Sequence, residues 1–406
     1  MQVIHNLGIL SIKKDVNENA GFLLANKKGS YCSFFCKPNS RYYGFFYFDN
    51  KSMKMYKFIE DIEIAGHNNI DYVKNGFYFA ERKKGEVIEN FTMPKGFNSI
   101  IYELNSENEI GVVLDCKESY DNREWGRNYE ISEEKGCIVV KFTKKTDSKE
   151  DSSHGKGELS LYLAIKGDNN FFEKNDKWVE RHYSHDEERN SQPFRRHVYN
   201  ALRIYGSKFV FTVSKSRSSG IEDCYRVFDS ISGLKDTERE NFMGLIKNEN
   251  VKKIVTNQKI SADIKIAYVN ALNSLKKLTF KDSDVFAGLP WFFQFWSRDT
   301  LVSLKALSRL NQRMAEDILF DYLSKIDSEG RLPDIVNKEN KLGSADSHGW
   351  LFFRLNDFIH RIHGHKKTIN SIKDSLKSID KFKNKNSKVS DYLKKCSSII
   401  DKKESK

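Results

Sequence analysis

Apolar positions follow two different rhythms along this chain. Up to about residue 220 they come in short runs broken by turn residues: Phe45–Phe48 after Gly44, Tyr78–Ala80 after Gly76, Ile110–Leu114, Cys137–Phe142, Leu159–Ile165 and Lys208–Val213. Runs that alternate, or are wholly apolar, are what strands buried on one or both faces require. Polar loops such as Asp147–Lys156 separate them. Many strands with long loops predict a large antiparallel β-sandwich.

After about residue 221 the spacing becomes three to four. Ile260, Ile264, Ala267, Ala271, Leu275 and Leu278 predict one helix face, and Leu301, Leu304 and Leu307 a second. Ile318, Tyr322 and Ile326 predict a third. A further helix starts near Asp346 and carries Trp350, Phe353 and Phe358. Two Lys-rich helical patterns follow at 369–382 and 389–400. Arg298-Asp299 and Asp346 fall at helix starts, just ahead of the apolar stripes. The pattern divides the chain into a β-domain (1–225), a helical linker (226–250) and a helical domain (251–406).

Composition narrows the class. The chain has 406 residues, 39% hydrophobic and 31% charged, with a formal net charge of +12. That is ordinary for a globular protein. The basic excess is spread over lysines in nearly every segment, a solvated surface rather than a nucleic-acid patch. Six cysteines are too few for a disulfide scaffold in a chain this long. Cys32 and Cys36 are four apart, on one face of a strand, and read as core. No stretch has membrane-spanning length, and the N-terminus lacks a signal-peptide pattern. The expectation is a reduced, cytoplasmic protein.

Two segments carry candidate chemistry. In 287–300, AGLPWFFQFWSRDT, Trp291, Trp296, Arg298 and Asp299 crowd together. Aromatic faces stack on the C–H faces of sugar rings, and Arg and Asp bond their hydroxyls. A packed loop with a structural Arg–Asp bridge has the same composition, and both readings stand. In 343–350, GSADSHGW, Asp346 precedes Trp350 by one helical turn. Asp346 is either an N-cap or a general acid made more basic by the indole. These oppose each other, because a helix N-terminus favours the ionised carboxylate.

AGLPWFFQFWSRDT, then GRLPDI, then SADSHGWLFF resemble, in order and spacing, the signature of bacterial and archaeal glycogen debranching enzymes of the amylo-α-1,6-glucosidase type. Further upstream, LANKKGSYCSFF, NSRYYGFFYF and the stretch from Arg181 to Asn190 are similar to the family's N-terminal motifs. The resemblance implies a β-supersandwich followed by an (α/α)6 toroid, a glycogen or other branched α-glucan substrate, and inverting hydrolysis. Carried over, Asp346 is the general acid. Arg298 and Asp299 hold glucose hydroxyls, and Trp291, Trp296 and Trp350 wall the pocket.

An inverting glycosidase also needs a base carboxylate about 6.5–9.5 Å from the acid. The family's base Glu lies near the end of its toroid, and the chain contains about half of the helices. The expectation is therefore a partial toroid completed by a second polypeptide, or a truncated product. The alternative is a non-catalytic glycan-binding or assembly module. Three departures from the family are WSRDT for WGRDT, LPD for IPN, and Gly343-Ser344 for Tyr-Asn. His348 replaces a small residue; it either pairs with Asp346 or faces solvent. His360, His363 and His365 sit beside Lys366 and Lys367, which disfavours a metal, and His182 and His185 are discounted likewise. No cofactor is expected.

Overall fold

A computed structural model describes residues 3–6, 11–15, 20–36, 39–67, 69–144, 159–169, 171–281, 283–326, 331–336 and 345–361. The chain divides into two compact units, Met1–Asn273 and Ser274–Lys406.

The first unit is a large antiparallel sheet followed by helices. Its strands are β1 (Val3–Asn6), β2 (Ser11–Asp15), β3 (Gly21–Ala25), β4 (Tyr31–Phe35), β5 (Gly44–Asp49), β6 (Lys54–Ile64), β7 (Tyr72–Asn75) and β8 (Phe79–Lys84). Then come β9 (Val87–Thr92), β10 (Ser99–Glu118), β11 (Arg127–Glu134), β12 (Cys137–Lys144), β13 (Leu159–Gly167), β14 (Phe172–His182) and β15 (Arg195–Ser214). They pair in the order β1-β2-β7-β8-β9-β10-β15-β13-β12-β11. The row β3-β4-β5-β6 branches from β10, and β14 branches from β15. The branch point is β10 itself. Its Ile101–Leu104 pairs with β9, while Ile110–Glu118 pairs with β6.

The apolar runs become these strands because each has a face to bury. β5 is buried at every position, and β8 alternates half-buried with buried. One cluster gathers Phe22, Phe34, Phe58, Phe91, Tyr102 and Phe211, with Cys32 inside it and Cys36 packed on its margin. Each such side chain contributes about 1.5–3 kcal/mol by leaving water. Gly44 opens β5 at φ +122, and a Cβ there would stand 2.1 Å from the Ile59 carbonyl oxygen. Only glycine lets β5 and β6 close at that point.

The helices begin at α1 (Ser184–Glu188) and continue with α2 (Arg217–Asp229), α3 (Ile231–Lys247), α4 (Glu249–Val255) and α5 (Ala262–Leu278). Ser216 caps α2 by accepting from Ser219 N–H. Ile221, Cys224 and Val227 of α2 then pack on Ile101, Val139, Ala164 and Val210 of the sheet.

α5 forms where the period predicts it, but with a different face inward. Ile266, Val269, Leu272 and Asn273 are buried, whereas Ile264 is 60% exposed and Ala267 and Ala271 face out. Two stripes of helical spacing coexist in this segment. The buried one carries the branched Ile266 and Val269, which remove more apolar area from water than alanines do. Asn273 is satisfied by donating Nδ2 to the Phe77 carbonyl at 3.3 Å.

The second unit contains β16 (Thr279–Phe280), β17 (Asp284–Val285), α6 (Ser297–Leu310), α7 (Gln312–Ser324) and α8 (Ala345–Arg361). Leu301, Leu304 and Leu307 are buried along α6, as the spacing predicts. Ile318 and Tyr322 are buried in α7, which ends before Ile326. In α8 the buried stripe is Leu351, Phe352, Leu355 and Phe358; Phe353 is exposed. The predicted helices at 369–382 and 389–400, like His363 and His365, lie outside the described residues, as does the side chain of His360. Among the described residues no helix is long and apolar enough to cross a membrane.

Candidate active site

The three helical-region motifs converge in the second unit. Phe280, Phe286 and Phe295 form a ring cluster that anchors the first motif, with Phe286 and Phe295 stacked at 4.5 Å. Between them the chain makes a tight turn. Gly288 and Phe292 exchange backbone hydrogen bonds around a cis Leu289–Pro290 peptide, and half-buried Trp291 sits in that turn.

The second motif is stitched to the first by backbone. Val336 N–H donates to the Phe295 carbonyl at 3.0 Å, and Ser297 N–H donates to the Asp334 carbonyl at 2.8 Å. Trp296 and Ile335 form an isolated bridge between these bonds. The Ser297 side chain is buried and donates its hydroxyl to the Pro333 carbonyl. Serine at the family's glycine position thus becomes a tie between the motifs.

The third motif joins through two side chains. His348 Nε2 accepts from Leu332 N–H at 3.0 Å, so that nitrogen carries no proton. That contact ties His348 to the second motif. Arg298 Nη1 donates to Asp346 Oδ2 at 3.1 Å. Asp299 Oδ2 stands 4.0 Å from Arg298 Nε. The guanidinium therefore lies between two carboxylates at the N-terminal ends of α6 and α8.

α8 starts at Ala345, and Asp346 Oδ1 accepts from the adjacent Ser347 N–H at 2.9 Å. Its side chain is 45% exposed and that of Arg298 56%. An ion pair this wet is worth about 0.2–1 kcal/mol. A sugar hydroxyl can displace it at little cost. Trp350, one turn along α8, meets Phe353 edge-on at 5.9 Å and the Arg354 guanidinium at 5.4 Å from its ring centroid.

The structure thus joins Arg298, Asp299 and Asp346 directly, and Trp296 through its bridge. A separate cleft, lined by Leu304, Ser308, Leu319, Arg354 and Phe358, includes none of them. One acidic residue escapes the sequence reading. Asp284 is buried and accepts from the Tyr322 hydroxyl at 3.2 Å. Burial pushes its carboxyl up from the ordinary value, against the pull of Lys325. Its only signal in the sequence is an acid wedged beside Val285 and Phe286.

The N-terminal motifs have a structural explanation. Asp186 is buried and accepts from Ser40 Oγ at 2.6 Å and Arg41 N–H at 2.9 Å. Arg41 Nη1 donates to the carbonyls of Ser191 and Pro193. Asn190 adopts φ 52, a left-handed conformation that asparagine tolerates. His182 and His185 pair with Glu187 and Glu188. Among the described residues no three His, Cys, Asp or Glu side chains are grouped to hold a metal ion.

The basic excess is not all solvated. Lys57, Arg82, Lys117, Lys144 and Arg196 are buried in the first unit. Asp115, wholly buried, receives Arg127 at 3.0 Å and Arg196 at 3.2 Å, with Lys57 at 4.0 Å. Burial alone would raise this carboxyl, but Arg196, Lys57, Lys117 and Arg127 hold it well below the usual range. Burial, with Arg196 beside it, drives Lys117 far below an ordinary amine. Acids and bases distant in sequence meet across strands, which a count of charges along the chain does not reveal.

Residues 252–402 match the family described as amylo-alpha-1,6-glucosidase. The match covers α5 through α8 and with them all three converging motifs. None of the curated proteins matches the chain.

Proposed function

We propose that this chain carries the glucose-holding and acid half of a glycogen-debranching α-1,6-glucosidase, acting on glycogen or another branched α-glucan. The carrying observation is the Arg298–Asp346 contact at two helix N-termini, inside the segment that matches the family. In this reading the first unit is a β-supersandwich and the second is part of an (α/α)6 toroid. Trp291, Trp296 and Trp350 wall the sugar site. Arg298 and Asp299 take glucose hydroxyls, which draws the guanidinium off Asp346. Released from its cation, Asp346 takes up a proton from solvent and gives it to the glycosidic oxygen as the C1–O bond breaks. Water attacks C1 from the opposite face, giving its proton to a base Glu.

A second reading has its own support. Arg298 already bonds Asp346 across the two helix starts, and such a polar pair can hold glucose hydroxyls in a glycan-binding module without hydrolysis. Glucose release from limit dextrin separates the two. It is measured on the chain alone and with the product of any adjacent gene that supplies further toroid helices. Asp346→Asn in an active preparation is expected to lower turnover by about 100-fold or more. Folded preparations that bind glycogen but release no glucose in any combination would leave the binding module standing and end the hydrolase reading.

A further inference from the structure

Lys117, Arg127, Lys144 and Arg196 of the first unit share a target. The segment between β10 and β11, residues 119–126, has no regular structure of its own. Four basic side chains reach its backbone oxygens. Lys117 Nζ donates to the Ser119 carbonyl at 3.1 Å and Arg196 Nη1 to that of Asn122 at 2.8 Å. Lys144 Nζ donates to the Arg123 carbonyl at 3.2 Å and Arg127 Nε to that of Glu124 at 2.9 Å. All four side chains are nearly or fully buried. Surface loops are normally left to water. Fixing this one with buried basic groups is costly, since each must give up its hydration.

What the loop displays is aromatic. Tyr120 is 47% exposed and Trp125 45%. Trp125 is pinned by Arg123, whose guanidinium lies 5.3 Å from the ring centroid. Arg123 is held in turn by Asp121 through bonds of 2.9 and 3.1 Å, and Asp121 by Lys144. Beside them Glu124 accepts from His197 N–H at 2.8 Å. Exposed rings whose conformation is already fixed lose little entropy on binding.

We infer that the loop 119–126 is a preorganised saccharide-binding platform, on which Tyr120 and Trp125 stack on glucose units of an α-glucan chain while Arg123 and Glu124 bond their hydroxyls. Apolar ring faces flanked by fixed polar forks fit the two kinds of surface that a pyranose presents. The choice of an α-glucan over other sugars rests on the function proposed above. The platform would hold the polymer independently of the Asp346 site.

The test is retardation of the full chain in gels containing glycogen, alongside binding of the short branched trisaccharide panose. Tyr120→Ala/Trp125→Ala is expected to weaken glycogen retention at least 10-fold and to leave panose binding unchanged. Trp125→Phe, which keeps a ring, is expected to keep most of the retention and guards against a folding defect in the double variant. Unchanged glycogen retention in the double variant, at an unchanged melting temperature, overturns the platform. So does a wild-type chain that glycogen does not retard. Should Asp346→Asn and Arg298→Ala affect neither ligand while the loop variant still loses retention, the site reading fails and the platform stands.

Discussion

His348 accepts the backbone N–H of Leu332 through Nε2 at 3.0 Å, joining two motifs that lie 16 residues apart. Leu332 is fully buried. Removing the imidazole leaves a buried donor without this acceptor, at a cost of about 1–3 kcal/mol. His348→Ala is therefore expected to lower the urea midpoint and to speed amide exchange at Leu332, with His348→Gln recovering part of both. Unaltered exchange at Leu332 would show that the bond contributes nothing in solution.

Asp284 sets a pH dependence with a definite sign. Its folded-state affinity for a proton is raised by burial above the ordinary value of 3.8. Between that value and the raised one, the folded chain binds more protons than the unfolded chain, so stability falls as pH rises. At neutral pH the whole penalty is present. Asp284→Asn keeps an oxygen for the Tyr322 hydroxyl and removes the charge. Its melting temperature is expected to exceed wild type at pH 7, with the gap closing below about pH 4. A variant less stable than wild type at pH 7 would mean that the ionised carboxylate is being used.

Asp115 behaves in the opposite sense. Its carboxyl is held low in the folded state by four cations. The stability it supplies is present above the unfolded carboxylate value and disappears as pH falls through the folded one. Asp115→Asn leaves Arg127, Arg196 and Lys57 facing a neutral amide. Breaking such a buried cluster from one side costs about 3–5 kcal/mol. Denaturant unfolding at pH 7 measures that loss, and the variant is also expected to show a flatter acid limb. A cost under 1 kcal/mol would show that water compensates the cluster.

Much of this was legible from the residues, and the remainder has physical reasons for being hidden. Leu301, Leu304 and Leu307 are an unambiguous stripe, and α6 buries them. α5 is ambiguous because two stripes share one period, and only the packed neighbours decide between them. Arg298, Asp299 and Asp346 stand out because helix starts and sugar chemistry coincide there. The Arg298–Asp346 contact itself spans 48 residues, and no local pattern encodes it. Ser297 reads as a blemish in a glycine motif, yet its hydroxyl reaches Pro333. Lys117 and Arg196 look like two more surface cations until the strands bring them to one loop.

The pairing of β10 with β15 has a consequence for how the chain is born. Ser99 and Thr212 share a hydroxyl hydrogen bond although 113 residues separate them. On a ribosome, the strands up to β10 emerge with their apolar faces formed and their main companion still unsynthesised. Contacts this remote close slowly, and the waiting intermediate exposes sticky edges. Nascent chains halted before Arg195 are therefore expected to be digested by protease faster than chains released after Ser214.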